Sequence, residues 1–300
     1  MSLWVRYLTS GANSSATSHT GQPHIGFGLL EQDGIAEYEG DMFDAPRATG
    51  RVFAFDDVTP LAPCVPSRIV ALWNNFHALS AKLGKALPKH PLFLLKPSTS
   101  LAGPGDVIER PVSYDGKIVY EGELGIVIGR RCSNVSVEEA ADYVFGYTCV
   151  NDVTAADLLF EDANFAQWCR AKGYDTFGCI GPAIATELDW RSARVVTTLD
   201  GVERQNYPLS DMAFSPLEQV SRISRDMTLL PGDVIACGTS LGVGSMRDGA
   251  TVAVTIEGIG TLTNRVSDAK VEPRVTTLVG AGAGKGTATS PASLATVDER

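Results

Sequence analysis

The stretch Tyr120-Glu121-Gly122-Glu123-Leu124-Gly125-Ile126-Val127-Ile128 decides the fold of this chain. Its apolar residues predict a buried β-strand, and the strand period of two places Glu121 and Glu123 on one face, with the large apolar side chains opposite. Two carboxylates on one face repel each other, more strongly away from water, and a hard divalent cation would remove that repulsion. A solvent-facing strand with two exposed acids is the competing interpretation, because polar-out alternation is common.

A third carboxylate, Asp152, follows the apolar run 145–150, which predicts another buried strand. Three carboxylates supply three oxygen ligands, and octahedral Mg²⁺ keeps its other positions for water and substrate. A 2-oxo carboxylate would take two of those positions as a chelate. The alternative is a helix cap, in which Asp152 or Thr154 caps a helix from about residue 154 and Asp157 completes a capping box.

Outward from this stretch the chain alternates short apolar runs with Gly, Pro and Asp. The pattern predicts many strands and few helices, which favours a mixed α/β, β-rich fold over alternating βαβ units. Residues 1–65 read as a small N-terminal β-domain, with strands at 27–30, 34–38 and 51–55 and a polar loop at 13–22. Further strands are predicted at 67–72, 194–199, 234–237 and 252–256, and helices at 76–83, at 137–143 and from about 154.

The composition limits the function. With 25 Lys and Arg against 35 Asp and Glu, the formal net charge is -10, which argues against a nucleic-acid binder. An anionic substrate would therefore need local cations or a metal ion. Neither a secretory signal nor a membrane span is expected, and the six scattered cysteines contain no C-x-x-C, so we expect free, mostly buried thiols in a cytoplasmic protein.

The last residues differ in composition from the rest. Residues 269–300 are rich in Gly, Ala, Ser and Thr, which predicts a flexible low-complexity tail. Its run GAGAGKGTAT at 280–289 superficially resembles a phosphate-binding loop. That motif needs glycine where Val279 stands and Ser or Thr where Gly286 stands, so we predict no nucleotide site there.

Six groups of segments, in order along residues 66–268, resemble the motifs of the fumarylacetoacetate hydrolase superfamily. The segments are Lys96-Pro97-Ser98-Thr99-Ser100 with Gly103-Pro104-Gly105-Asp106, Glu121-Gly122-Glu123, Asn151-Asp152-Val153-Thr154-Ala155, Arg170-Ala171-Lys172-Gly173-Tyr174-Asp175-Thr176-Phe177, Arg225-Asp226-Met227-Thr228-Leu229 with Pro231-Gly232-Asp233-Val234-Ile235, and Gly238-Thr239-Ser240-Leu241-Gly242-Val243-Gly244. One such motif would be weak, whereas six in register identify the family.

The resemblance implies a mixed β-sandwich roll of the fumarylacetoacetate hydrolase type, a homodimer, and a small 2-oxo acid as substrate. It also implies a metal ion, normally Mg²⁺ and sometimes Ca²⁺ or Mn²⁺, bound by Glu121, Glu123 and Asp152. The implied catalytic residues are His77 and Lys172.

Substrate-binding roles are implied for Ser98, Arg170 and Thr239. The residues themselves leave plainer roles open. Arg170 and Lys172 could be ordinary surface cations. Thr239 could belong to a simple tight turn between glycines, and His77 could be a partly buried helix residue.

Two positions depart from the family pattern. Family hydrolases carry a His-x-x-Glu dyad that activates water, and here His77 is followed by Ser80 where the glutamate would stand. Because a serine supplies no negative charge, His77 should be a weaker base. At Ala156 many members carry an arginine that would bind an anionic group of the substrate.

The leading hypothesis is Mg²⁺-dependent hydrolysis of a C–C bond in a 2,4-dioxo acid such as an acylpyruvate, with an enolate leaving group. The alternative keeps the enolate and replaces hydrolysis with proton transfer or loss of a small group, as in an isomerase, tautomerase, decarboxylase or dehydratase. The missing dyad glutamate favours this alternative. A third hypothesis is a metal-binding protein without catalysis.

Overall fold

A computed structural model describes residues 2–9 and 23–268, so the predicted loop at 13–22 and tail at 269–300 lie outside the described residues. The strands are β1 Leu3–Thr9, β2 Ile25–Glu31, β3 Gly34–Asp41, β4 Asp44–Phe53, β5 Val58–Leu61, β6 Arg68–Trp73, β7 Leu92–Pro97, β8 Leu101–Ala102, β9 Val107–Glu109, β10 Ile118–Tyr120, β11 Gly122–Ile128, β12 Val144–Asp152, β13 Thr154–Ala155, β14 Gly178–Ala185, β15 Arg194–Leu199, β16 Val202–Pro208, β17 Val234–Ala236, β18 Gly244–Met246, β19 Thr251–Ile256 and β20 Gly260–Ser267. The α-helices are α1 His77–Leu83, α2 Trp168–Lys172 and α3 Pro216–Asp226.

The largest sheet runs in the order β4-β3-β2-β1-β14-β12-β11-β17-β6-β7. It curls back on itself, because β7 continues through a 3-10 turn at Ser98–Ser100 into β8, which pairs in parallel with β14. The strands from β14 to β7 therefore wrap around an apolar interior. This interior is filled by small and β-branched side chains that include Ile69, Ala71, Val127, Val150 and Val234.

A second sheet, in the order β16-β15-β19-β20-β9, packs on the other face of β11 and β12. Its apolar side chains, such as Val195 and Val254, join Ile126 in one large core cluster. Every residue of β11 is consequently buried. The competing interpretation of a solvent-facing strand does not hold for Glu123, since sheets cover both faces of β11 and leave Glu123 fully buried. The chain thus has the predicted mixed α/β, β-rich architecture.

The N-terminal strands continue the main sheet. β1 pairs with β14 through Leu3↔Ala185 and Trp4↔Ile184, and β2, β3 and β4 follow as successive antiparallel neighbours. The strands predicted at 27–30 and 34–38 lie within β2 and β3, and the one predicted at 51–55 overlaps the end of β4. The boundary between residues 65 and 66 stays a prediction.

Two helix predictions are wrong. Only a 3-10 turn, Ala140–Tyr143, forms in the segment predicted as a helix at 137–143. No helix starts at Thr154 either, because β13 pairs with β10 there before a 3-10 turn at Ala156–Leu158. The capping box is also absent, since the carboxylate of Asp157 accepts hydrogen bonds from the Lys117 backbone and the Tyr114 hydroxyl instead. The helix predicted at 76–83 is confirmed as α1.

All six cysteines are free thiols, and only Cys169 among them is exposed. Within residues 2–9 and 23–268, no helix has the length and apolar character needed to cross a membrane.

Candidate active site

Three carboxylates meet at one end of the curled sheet. Oxygen atoms of Glu121, Glu123 and Asp152 lie within 4.8 Å of one another. Glu121 occupies the break between β10 and β11, and its carbonyl accepts a hydrogen bond from the Asp152 backbone N–H at 2.9 Å. Asp152 ends β12, beside the start of β11. The strand pairing therefore gathers these carboxylates, and Asp152 does not cap a helix.

Two buried lysines face the carboxylates. Lys172, the last residue of α2, donates from Nζ to Glu121 Oε2 at 2.9 Å, to Asp152 Oδ2 at 2.5 Å and to Thr154 Oγ1 at 2.7 Å. Lys96 of β7 reaches Asp152 Oδ1 at 2.5 Å because the sheet curls. No role was predicted for Lys96 from the sequence. Its position in an otherwise apolar strand was the available signal, since a lysine is rarely fully buried without a partner.

These charges shift the pKa values of the site in opposite directions. Burial, and then the negative charge of Asp152, hold the pKa of Glu123 well above its ordinary value. Burial also acts to raise the pKa of Asp152, but the nearby charges of Lys172 and Lys96 outweigh it, so that pKa is lowered. Burial lowers the pKa of Lys96, whereas the surrounding carboxylates overcome the burial of Lys172 and raise its pKa. Glu123 is thus the carboxylate least compensated by protein cations.

The donor set fits a divalent cation. Glu123 Oε2 accepts a hydrogen bond from the Gly238 backbone N–H at 2.8 Å, while the buried Oε1 has no hydrogen-bond partner among the described residues. A buried carboxylate oxygen without a partner is costly, and a bound cation would satisfy it. Three carboxylates are hard oxygen ligands of the kind that Mg²⁺, Mn²⁺ or Ca²⁺ binds.

The backbone of Gly122, between the two glutamates, is held by three side chains that we call the Gly122 clamp: Gln205, Tyr207 and Thr239. The Gly122 N–H donates to Gln205 Oε1 at 3.0 Å. Its carbonyl accepts from Tyr207 Oη at 2.5 Å and from Thr239 Oγ1 at 3.0 Å. Gln205 Nε2 also donates to Thr239 Oγ1 at 2.9 Å. The clamp therefore fixes the backbone between Glu121 and Glu123, and with it the spacing of the two side chains.

Glycine is required at position 122. A Cβ atom there would lie 2.1 Å from the Oγ1 atom of Thr197. Thr239 is thus more than part of a tight turn, because its hydroxyl is a bonded element of the site. Gln205 and Tyr207 were not predicted from the sequence, since nothing in the polar run around them distinguishes these two from exposed strand residues.

The remaining predicted residues lie outside this bonded cluster. His77 begins α1, is exposed, and makes no hydrogen bond with another described side chain. Ser80 is buried and donates its hydroxyl proton to Asn74 Oδ1 at 2.8 Å. Arg170 pairs with Glu161 at 2.7 Å, with both side chains about half exposed, and Ser98 is exposed in its 3-10 turn. The structure thus brings Lys172 to the carboxylates and Thr239 to the backbone between the two glutamates. The catalytic and substrate-binding roles of all five residues stay predictions.

A buried cluster of three carboxylates and two lysines at one end of a β-rich fold is typical of an enzyme active site. A family model described as "Fumarylacetoacetate (FAA) hydrolase C-terminal" matches residues 68–267, and one described as "Rv2993c-like, N-terminal" matches residues 4–63. The chain belongs to the fumarylacetoacetate hydrolase family.

Related proteins indicate the chemistry. The structure of 5-carboxymethyl-2-hydroxymuconate delta-isomerase from Mycobacterium smegmatis is 40% identical, with a TM-score of 0.78 over 90% of this chain and 100% of that one. Oxaloacetate tautomerase YisK of Bacillus subtilis is 36% identical over 214 residues, 68% of this chain and 70% of the relative.

A hydrolase of the family is more distant. Fumarylpyruvate hydrolase from Pseudomonas aeruginosa, solved with Mn²⁺ and pyruvate, is 28% identical, with a TM-score of 0.64 over 70% of this chain and 92% of that one. These three relatives are named as a tautomerase of oxaloacetate, an isomerase of a hydroxymuconate and a hydrolase of fumarylpyruvate.

Proposed function

We propose that this protein is a metal-dependent tautomerase or isomerase, which moves a proton between the keto and enol forms of a 2-oxo acid. One observation carries the choice of reaction. Lys172 is bonded within the three-carboxylate cluster, whereas the residue at the dyad position, Ser80, is buried and bonded to Asn74. Proton transfer needs a stabilised enolate and one acid–base group, while hydrolysis needs in addition an activated water.

The roles follow from the contacts. Glu121, Glu123 and Asp152 would hold the cation, with Mg²⁺ as the candidate, and a cation bound there would polarise the oxo group of the substrate. Lys172, held by three acceptors, would act as a fixed positive charge beside the oxygen that becomes negative. His77, whose ring makes no bond with another described side chain, would transfer the proton at the neighbouring carbon.

Hydrolytic C–C cleavage is the second candidate. It is favoured by the presence of His77 at the position of the dyad histidine, and by the likeness to the fumarylpyruvate hydrolase. In this reaction His77 would deprotonate water without help from a neighbouring carboxylate at position 80, so the step would be slow.

Two parallel assays separate the tautomerase from the hydrolase. Enol and keto forms of oxaloacetate are followed by ultraviolet absorbance, and a panel of acylpyruvates is analysed for pyruvate plus a second acid, each with Mg²⁺ or with EDTA. Mg²⁺-dependent keto–enol exchange without release of a second acid supports the tautomerase. Release of two acids at a comparable rate would replace it with the hydrolase. If neither reaction occurs but the protein binds Mg²⁺, it would be a metal-binding protein without catalysis.

A further inference from the structure

Trp73 lies in the same row of the sheet as a metal-site carboxylate. In the register, Ala71 pairs with Ala236, and Ala236 pairs with Gly125. β17 ends at Ala236, and the same register continued two residues beyond it would bring Trp73 level with Glu123, with both side chains on one face. Two strand spacings separate them, so their Cα atoms are about 10 Å apart.

Trp168 lies close to the same site from the covering helix. It occupies the first position of α2, and Lys172, four residues on, projects from the same face of the helix. The rings of Trp73 and Trp168 are in contact, with centroids 5.5 Å apart and planes at 52°. The ring of Phe160 meets Trp168 edge-on at 5.9 Å. Both indoles are therefore placed near the carboxylate site, Trp73 through the sheet register and Trp168 through α2.

These rings border a cavity of about 530 Å³, which we call the aromatic pocket. It is lined by Trp73, Lys85, Leu92, Phe93, Phe160 and Trp168, with Pro91 and Leu94 completing the wall. The side chain of Phe160 is 69% exposed although it belongs to this wall. A volume of this size suits a small organic ligand, and its apolar, aromatic lining suits a planar ring.

The charge around the pocket favours an anion. Lys85 Nζ lies 5.6 Å from the centroid of the Trp73 ring. Residues 58–105, which run from β5 through β6, α1 and β7 to β8, contain no Asp or Glu in a chain of net charge -10. The same segment contains five cations, Arg68, Lys82, Lys85, Lys89 and Lys96. Arg68 and Lys96 are paired with Asp233 and Asp152, so the charge at the pocket comes from Lys85, which lines it and attracts an anionic ligand.

We infer that the preferred substrate is an aryl-substituted 2-oxo acid, with its oxo-carboxylate head at the Glu121–Glu123–Asp152 site and its ring in the aromatic pocket. The inference rests on the proposed function of that site and adds its substrate class. In an arylpyruvate one carbon separates the oxo carbon from the ring, which is compatible with a span of about 10 Å between Glu123 and Trp73. A four-carbon dicarboxylate would leave the pocket unfilled.

The test uses two inhibitors of equal charge that cannot enolise, oxamate and N-phenyloxamate. Their affinities for the full-length protein are measured by calorimetry with Mn²⁺ or with EDTA, and quenching of tryptophan fluorescence is recorded in parallel. We expect N-phenyloxamate to bind at least about tenfold more tightly than oxamate, because ring burial and aromatic contacts each add affinity. Its binding should also quench tryptophan fluorescence more strongly.

The variants place the ring. Trp73→Ala should reduce the ratio of the two affinities to about one. Trp168→Leu, at a half-exposed helix position, should also reduce it, and this variant still tests the inference if Trp73→Ala does not fold. Trp190→Ala is the matched control, because Trp190 also carries a cation over its ring, Arg191 at 4.5 Å, away from this pocket. The control should keep the wild-type ratio.

The outcomes distinguish two failures. If oxamate shows no metal-dependent binding, the proposed function of the carboxylate site fails. If oxamate binds but the phenyl group adds nothing, or its advantage survives both Trp73→Ala and Trp168→Leu, the substrate class alone is overturned. A Phe160→Asp variant that dissociates a dimer in light scattering and keeps the full affinity ratio would assign the aromatic surface to a second copy of the chain, which also overturns the inference.

Discussion

The floor and the rim of the site are built differently. The floor comprises Glu121, Glu123, Asp152 and Lys172 with the Gly122 clamp, and nearly every polar atom in it is buried and bonded. The rim comprises α1 and the aromatic pocket, where His77 and Phe160 are exposed. Fixed groups suit binding and polarisation, which every reaction of a 2-oxo acid needs. The rim is where the reaction and the substrate can be changed without disturbing the floor.

The largest effect is expected in the floor. Glu123→Gln removes the charge of the carboxylate whose Oε1 has no hydrogen-bond partner among the described residues, so we expect loss of tight Mg²⁺ or Mn²⁺ binding and a fall in kcat/KM of about a thousandfold or more. Calorimetry with the metal ion and the keto–enol assay measure both quantities. Exposed Glu138→Gln serves as the control, and wild-type metal affinity in Glu123→Gln would contradict the assignment of the ligand.

The Gly122 clamp should matter next. Gln205→Leu frees the Gly122 N–H and the Thr239 hydroxyl from their partner, so the two glutamates lose their fixed spacing. We expect metal affinity to weaken about 10- to 100-fold, as is usual when an outer partner of a metal site is lost.

The control for Gln205→Leu is Gln219→Leu. It removes a buried glutamine of α3 that donates to the Phe214 carbonyl. Both variants should lower the melting temperature, and only the first should weaken metal binding. If the two variants had the same metal affinity, the role of Gln205 would be limited to stabilising the fold.

A smaller effect is expected at the rim. Ser80→Glu restores a carboxylate three residues after His77, so we expect the ratio of acylpyruvate hydrolysis to keto–enol exchange to rise about tenfold. Because Ser80 is buried, the variant should also lose about 1–3 kcal/mol of stability. Ser80→Gln, which has the size but not the charge, is the control. An unchanged ratio would mean that position 80 does not choose the reaction.

The smallest effect concerns stability without metal. Burial and the charge of Asp152 raise the pKa of Glu123 in the folded protein, so the protonated side chain fits the fold better than the ionised one. The stability that protonated Glu123 contributes is therefore full below its unfolded pKa and is lost as the pH rises through its folded pKa. In EDTA near neutral pH, Glu123→Gln should therefore melt higher than the wild type, by about 2 °C or more. Added Mg²⁺ should reverse the order. A lower melting temperature for the variant in EDTA would contradict the sign of this shift.

The sequence predicted the floor better than the rim. Glu121, Glu123, Asp152 and Lys172 were identified because family motifs mark them, and the β-rich fold followed from short apolar runs. The pattern of one strand left an exposed acidic face open as an alternative, because it cannot reveal that a second sheet covers that strand. Gln205 was missed because its role arises only from that packing. Lys96 opens one of the family-like segments, but its contact with Asp152 depends on the curl of the main sheet.

The curl of the sheet has a consequence for folding. The site joins segments near residues 96, 121, 152, 172 and 239, and the contact between Lys96 and Asp152 requires β8 to pair with β14. Sites assembled from contacts so distant in sequence form slowly and late. A growing chain therefore cannot complete its carboxylate cluster, or use a metal ion as a template, until most of the protein has been synthesised. Metal loading should follow folding rather than guide it.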